Sequence, residues 1–137
     1  MGLIHLDAGV VIGLLDSNDA HHGAATAALT AAQRAGDRFA MAASAFAECL
    51  VGPSRHGARA VAVAQELFDR LPIEIVELDA DTALAAADLR ARHPTLRLPD
   101  ALVLATAARR SADELITTDG KWPTARKLRL DLAITLL

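Results

Sequence analysis

The sequence predicts an α/β fold: a central, mainly parallel sheet of four or five strands flanked by helices. Three observations carry that expectation. Short β-like runs alternate with longer helical stretches along the chain, the pattern of a parallel sheet covered by helices. Hydrophobic residues make up 53% of the 137 residues, enough to pack a core in one domain spanning residues 1–137, with no room for a second of ordinary size. Aromatic residues are only 3%, with no tyrosine, so the core must be built from Ala, Leu, Val and Ile. Such side chains suit helices on a small sheet.

The elements follow in order. Leu3 to Leu6 is an apolar run that ends at Asp7, and a helix through Val10 to Leu15 follows. Asp19 or a neighbour caps an Ala-rich helix ending near Gly36, and Phe39 to Ala43 reads as the second strand. Ser44 has the hydroxyl to cap the next helix, which carries Ala45, Phe46, Glu48 and Leu50 and is expected to stop at Gly52-Pro53. Another helix runs from about Gly57 to Leu71 and is closed by Pro72. Ile73 to Leu78 has the period of two of a half-buried strand. Asp81 to Arg92 is helical and ends before Pro94. Pro99 opens a helix that reaches about Ser111 and is apolar on nearly every side, so it should be buried. Leu115 to Thr118 is a fourth strand, and Leu132 to Leu136 a fifth at the edge.

Composition narrows the function. Seventeen acidic against fourteen basic residues give a net charge of −3, whereas a protein holding nucleic acid by charge alone is clearly basic. Nucleic acid would have to be gripped locally, through bound cations and small arginine clusters. Scarce aromatics also exclude a module that stacks bases on rings. Cys49 is the single cysteine, which excludes a disulfide framework and fits a reducing cytoplasm. Met1 to Leu6 lacks the basic start and apolar run of a signal peptide, and Ala101 to Ala108 is too short to cross a membrane, so the expected location is cytoplasmic.

Four acids stand out. Singly, each has an ordinary structural role: Asp7 as an N-cap, Glu48 as the solvent-facing residue of its helix, Asp100 as a carboxylate favoured by a helix dipole, Asp119 as half of an Asp-Gly turn. Together they say more. Ligands of a parallel α/β sheet bind just outside the carboxyl ends of its strands. Asp7 and Asp119 each follow a strand, Glu48 lies about one helical turn beyond a third, and Asp100 starts a helix that packs at the same end. Carboxylates that close resist ionisation unless a cation joins them. Oxygen-only ligands select hard cations such as Mg²⁺ or Mn²⁺, which bind phosphate oxygens readily and suit phosphodiester hydrolysis.

Four segments, Ile4-His5-Leu6-Asp7, Ser44-Ala45-Phe46-Ala47-Glu48, Leu98-Pro99-Asp100-Ala101-Leu102 and Thr117-Thr118-Asp119, resemble in order and spacing the acidic motifs of PIN-domain nucleases. Within that superfamily the chain resembles the VapC-type toxins of bacterial toxin–antitoxin pairs, over essentially its whole length. The resemblance implies a PIN-like three-layer fold, Mg²⁺- or Mn²⁺-dependent endoribonuclease activity, a homodimer, and inhibition by a cognate VapB-type antitoxin. It makes Asp7, Glu48, Asp100 and Asp119 the catalytic and metal-binding quartet, and Thr117 the hydroxyl residue that helps hold water or metal. One departure stands out. Family members often carry Ser, Thr or Asn after the first Asp, whereas Ala8 and Gly9 follow here, so that hydrogen bond is missing or supplied by Thr117.

Other residues carry ordinary expectations. His5 reads as a hydrogen-bonded core histidine, His21-His22 as no chelating pair, and Cys49 as a core residue. Arg90, Arg92, His93 and Arg97, then Arg109 and Arg110, then Lys121, Arg126, Lys127 and Arg129 form basic clusters. Lys121 and its successors are the best placed to grip phosphates. Trp122 either stacks a base or packs against the sheet edge, and packing is the expected role. A phosphoacceptor receiver domain finds only isolated matches in Asp7, Asp79 and Lys121. The alternative reading is a catalytically inactive PIN-like module that only binds RNA or a partner, against which the presence of all four acids argues.

Overall fold

The computed structural model describes residues 1–137. Its centre is strand β1 (Leu3–Leu6), buried at all four positions, as a strand with parallel neighbours on both edges must be. Strands β2 (Arg38–Ala42) and β3 (Ile73–Val76) extend the sheet on one side, and β4 (Glu114–Thr117) and β5 (Ala133–Leu136) on the other. The order is β3-β2-β1-β4-β5 and every pairing is parallel. The sheet, expected to have four or five strands, has five, with the last strand at an edge.

Helices α1 (Ala8–Leu15) and α2 (His22–Arg34) connect β1 to β2, and α3 (Ala43–Arg55) and α4 (Ala58–Asp69) connect β2 to β3. The longest crossover, α5 (Ala80–Arg92) and α6 (Leu98–Arg109), then carries the chain past β1 to β4. Winding therefore reverses between β1 and β4. With right-handed crossovers, α1–α4 cover one face and α5–α6 the other. The reversal parts the connections leaving β1 and β4, and in parallel α/β sheets that point, beyond the carboxyl ends, is where ligands bind.

Several boundaries differ from expectation: β3 stops at Val76 rather than Leu78, and α2 begins after His21 with no side-chain cap, so Asp19 does not cap it. Strand β2 runs into α3 with no loop: Ala42 is the N-cap, and Ser44 lies inside the first turn and caps nothing. That helix also continues through Pro53 to Arg55. Proline forfeits one ladder bond and crowds the residue before it, and Gly52 has no Cβ to crowd. Asp79 caps α5 by accepting the Thr82 N–H at 2.7 Å, so this helix starts at Ala80. A short helix, α7 (Ala125–Leu128), went unanticipated; the Thr124 hydroxyl caps it.

The core contains 28 hydrophobic residues, mostly Ala, Leu, Val and Ile, with Phe39, Phe68 and Met41 as its larger members. In α6, Ala101, Val103, Leu104, Ala105, Thr106 and Ala107 are all buried, as its all-round apolar surface requires. No helix is long and apolar enough to cross a membrane.

Candidate active site

Asp7 is the innermost of the four acids, only 8% exposed. Its backbone N–H still donates to Ile116 in β4, at 3.0 Å, so the strand pairing itself holds it at the end of β1. Its side chain is an N-cap and a site group at once: one oxygen accepts the Ala8 N–H at 2.8 Å, the other the Thr117 hydroxyl at 2.9 Å. Thr117 therefore supplies the hydrogen bond that Ala8 and Gly9 cannot. The same hydroxyl oxygen accepts the Asp119 N–H at 3.1 Å, which ties the fourth acid to the first through one atom. Asp119 also makes the expected turn, its Oδ1 accepting the Lys121 N–H at 2.9 Å.

Glu48 and Asp100 arrive from helices. Glu48 is exposed on α3 and Asp100 half-buried in the first turn of α6, where the helix dipole favours a carboxylate. Asp7, Glu48 and Asp100 all have pKa values raised above the ordinary carboxylate range. Burial is the main cause for each, and neighbouring charge comes second: Asp119 acts on Asp7, Asp7 and Asp100 on Glu48, and Asp7 and Asp119 on Asp100. Asp7, Glu48 and Asp100 thus each feel the charge of at least one other of the four expected acids. The group is loose, since no three His, Cys, Asp or Glu side chains stand close enough to enclose an ion. The donor set nonetheless fits a hard divalent cation, being oxygen-only and partly desolvated.

Arg97, one residue before α6, holds the pKa values of Glu48 and Asp100 down. Its place in a basic run was visible in the sequence; its position opposite Glu48, on a different helix, was not. The other basic residues are more committed: Arg92 pairs with Asp88 at 2.8 Å, Arg110 with Glu74 at 2.8 Å and Arg109 with Asp81 at 3.8 Å. Lys121 is exposed beside Asp119.

The remaining expectations divide. Cys49 is buried and its thiol is pushed up to about 12 by burial and by the charges of Glu48 and Asp7, which makes it inert. His22 bonds the Gly13 carbonyl at 2.8 Å and His21 lies 3.5 Å from Asp19, so the two do not chelate. His5 departs from expectation: it is fully buried but neither ring nitrogen has a hydrogen-bond partner, and burial, with the Arg110 charge, lowers its pKa to about 4. On a central strand its ring is closed off from water, and the Arg110 and Glu74 charges reach it without a hydrogen bond. Trp122 packs against the core and lines a hollow of 210 Å³ with Thr117, Asp119, Ile134 and Leu136. Larger hollows of 440 and 450 Å³ lie elsewhere, and none of the four acids lines them.

The architecture has many relatives. VapBC2 from Rickettsia felis, bound to a promoter DNA fragment, superposes with a TM-score of 0.74 at 16% identity, over 98% of both chains. A toxin–antitoxin complex from Klebsiella pneumoniae is similar at 25% identity and TM-score 0.65, over 86% of this chain and 88% of that one. Mycobacterium tuberculosis VapC20, a sarcin-ricin loop cleaving toxin, is similar at 20% identity and TM-score 0.68, over 86% and 91%. No curated protein sequence matches the chain. The PIN-domain family model matches residues 4–128, from the first residues of the central strand to the end of α7, and the chain belongs to the PIN-domain family.

Proposed function

We propose that the chain is an endoribonuclease that hydrolyses RNA phosphodiester bonds with Mg²⁺ or Mn²⁺, the toxin of a type II toxin–antitoxin pair. The observation that carries this reading is the position of Asp7. A buried carboxylate of raised pKa stands at the point where the sheet reverses its winding, with Asp119 tied to it through Thr117 and Glu48 and Asp100 within its field. Desolvated like charges at one place call for a cation.

Asp7, Glu48, Asp100 and Asp119 would hold the ion, and a divalent metal when bound activates water and stabilises the leaving oxygen of an in-line displacement. The protein's own contribution is orientation. Thr117 fixes one oxygen of Asp7 and the Ala8 N–H fixes the other, so that carboxylate cannot turn away. Arg97 and Lys121 flank the acids with positive charge able to take RNA phosphates. The similarity to toxin–antitoxin complexes supports a VapB-type antitoxin as partner; an Arg or Lys from it placed among the acids would match their charge, and a homodimer is the assembly that the family resemblance implies. The similarity to a toxin that cleaves the sarcin-ricin loop supports RNA as the substrate class.

Purified protein should cleave RNA with Mg²⁺ or Mn²⁺, stop in EDTA, and leave 5′-phosphate and 3′-hydroxyl ends. Asp100→Asn, which keeps shape and deletes charge, should abolish cleavage in a folded protein. Cleavage that persists in EDTA, or 2′,3′-cyclic phosphate products, would overturn the metal mechanism.

A further inference from the structure

Trp122 is the only tryptophan, three residues after Asp119. Its ring packs against the core beside Ile134 and Leu136 of the edge strand, a space-filling task that phenylalanine would perform as well. What the indole adds is an N–H. That nitrogen is shut off from solvent and no acceptor stands at hydrogen-bond geometry to it. A buried donor left so costs on the order of 1–3 kcal/mol, which a phenylalanine would avoid. The acid whose pKa this indole N–H helps hold down is Asp100, although no hydrogen bond between the two is closed.

We propose that Trp122 is a positioning residue: its indole N–H takes one oxygen of Asp100 and so fixes the direction in which that carboxylate faces the other three acids. The geometry makes this economical. The backbone of Asp100 is set by the first turn of α6, so only its side-chain torsions remain free for a donor to fix. Arg97 also acts on Asp100, but it is exposed on a long stem and supplies charge without direction. Asp100 would then be oriented by Trp122 as Asp7 is by Thr117, each acid held by a donor from or just beyond β4. That consequence for cleavage rests on the nuclease reading; the contact itself does not.

A single tryptophan gives a single indole N–H resonance in ¹⁵N-labelled protein, read without metal or RNA. It should shift when Asp100 becomes Asn and shift further with Asp100→Ala, which removes the acceptor altogether. Trp122→Phe should keep the fold, and should lower kcat about tenfold at nearly unchanged KM, the rate equivalent of one hydrogen bond to a charged group. A resonance unmoved in folded Asp100→Ala, or wild-type kcat in Trp122→Phe, overturns the proposal. A shifting resonance in a wild type that cuts no RNA would support the contact and overturn the nuclease reading, so the two failures are distinct.

Discussion

Thr117 joins two of the four acids through one oxygen, and its value is testable by removing that oxygen alone. Thr117→Val nearly preserves shape, but strips Asp7 of one donor and leaves the Asp119 N–H without its acceptor. We expect a loss of about 1–3 kcal/mol in urea unfolding, the cost of orphaning a buried polar partner, with most of it restored by Thr117→Ser. Equal stability of the valine and serine variants would deny the hydroxyl this role. His5 makes an opposite kind of prediction, because nothing satisfies it. Its folded pKa lies near 4, below the ordinary 6.5, so between these values the unfolded chain binds a proton that the folded chain refuses. Stability then falls as pH drops through this window, by up to about 3 kcal/mol. Asp7, Glu48 and Asp100 act with the reverse sign, so the clean measurement is wild type against His5→Leu from pH 7.5 to pH 4. The leucine variant should lose the smaller amount; parallel curves would mean that His5 finds a proton-accepting partner.

At the scale of elements, α1 and the loop after β4 meet so closely that a side chain at Gly9 would press on Thr118. A Cβ on Gly9 would clash with the Thr118 hydroxyl oxygen, so the threonine side chain would have to turn or the two elements part. Gly9→Ala should therefore destabilise by about 1–3 kcal/mol despite alanine's better helix propensity. Combining it with Thr118→Ala should recover a substantial part, a coupling of about 1 kcal/mol in a double-mutant cycle of thermal melts. Additive losses would show that the two elements do not press on each other there. The same closeness bears on the site, since Asp7 caps this helix and Asp119 lies on this loop, next to Thr118.

For the whole molecule, the site sets activity against stability. Asp7 has a raised folded pKa, chiefly through burial, so its favourable contribution is complete below its unfolded pKa and is lost as pH rises through the folded one. At pH 7 in EDTA, Asp7→Asn should stabilise the fold by on the order of 1 kcal/mol, as active-site substitutions often do. Asparagine still caps α1. The gain should shrink toward pH 4 and vanish below it. An ion that binds only the folded site adds stability by mass action, about 2.7 kcal/mol at a hundred times its Kd, so Mg²⁺ should raise the Tm of wild type and of Asp7→Asn much less. A wild type indifferent to Mg²⁺, with an asparagine variant less stable in EDTA, would reduce these acids to caps and turns.

Periodicity and local chemistry were enough to read the parallel sheet and the buried α6, because each is written in residues close together along the chain. Where local signals misled, the reason is equally local. Ser44 and Pro53 carry strong cap and stop preferences, but the junction of β2 with α3 and the Cβ-free Gly52 outweighed them. The strand order, and with it the reversal beside β1 that gathers the acids, needed the tertiary structure, since no residue encodes its neighbour across a crossover of several dozen positions. So did the main cause of the raised carboxyl pKa values, which is burial more than mutual repulsion. Arg97 facing Glu48, Trp122 facing Asp100 and the unpartnered His5 belong to the same class. Each is a relation between side chains far apart in sequence, and only packing determines such distances and the solvent that packing excludes.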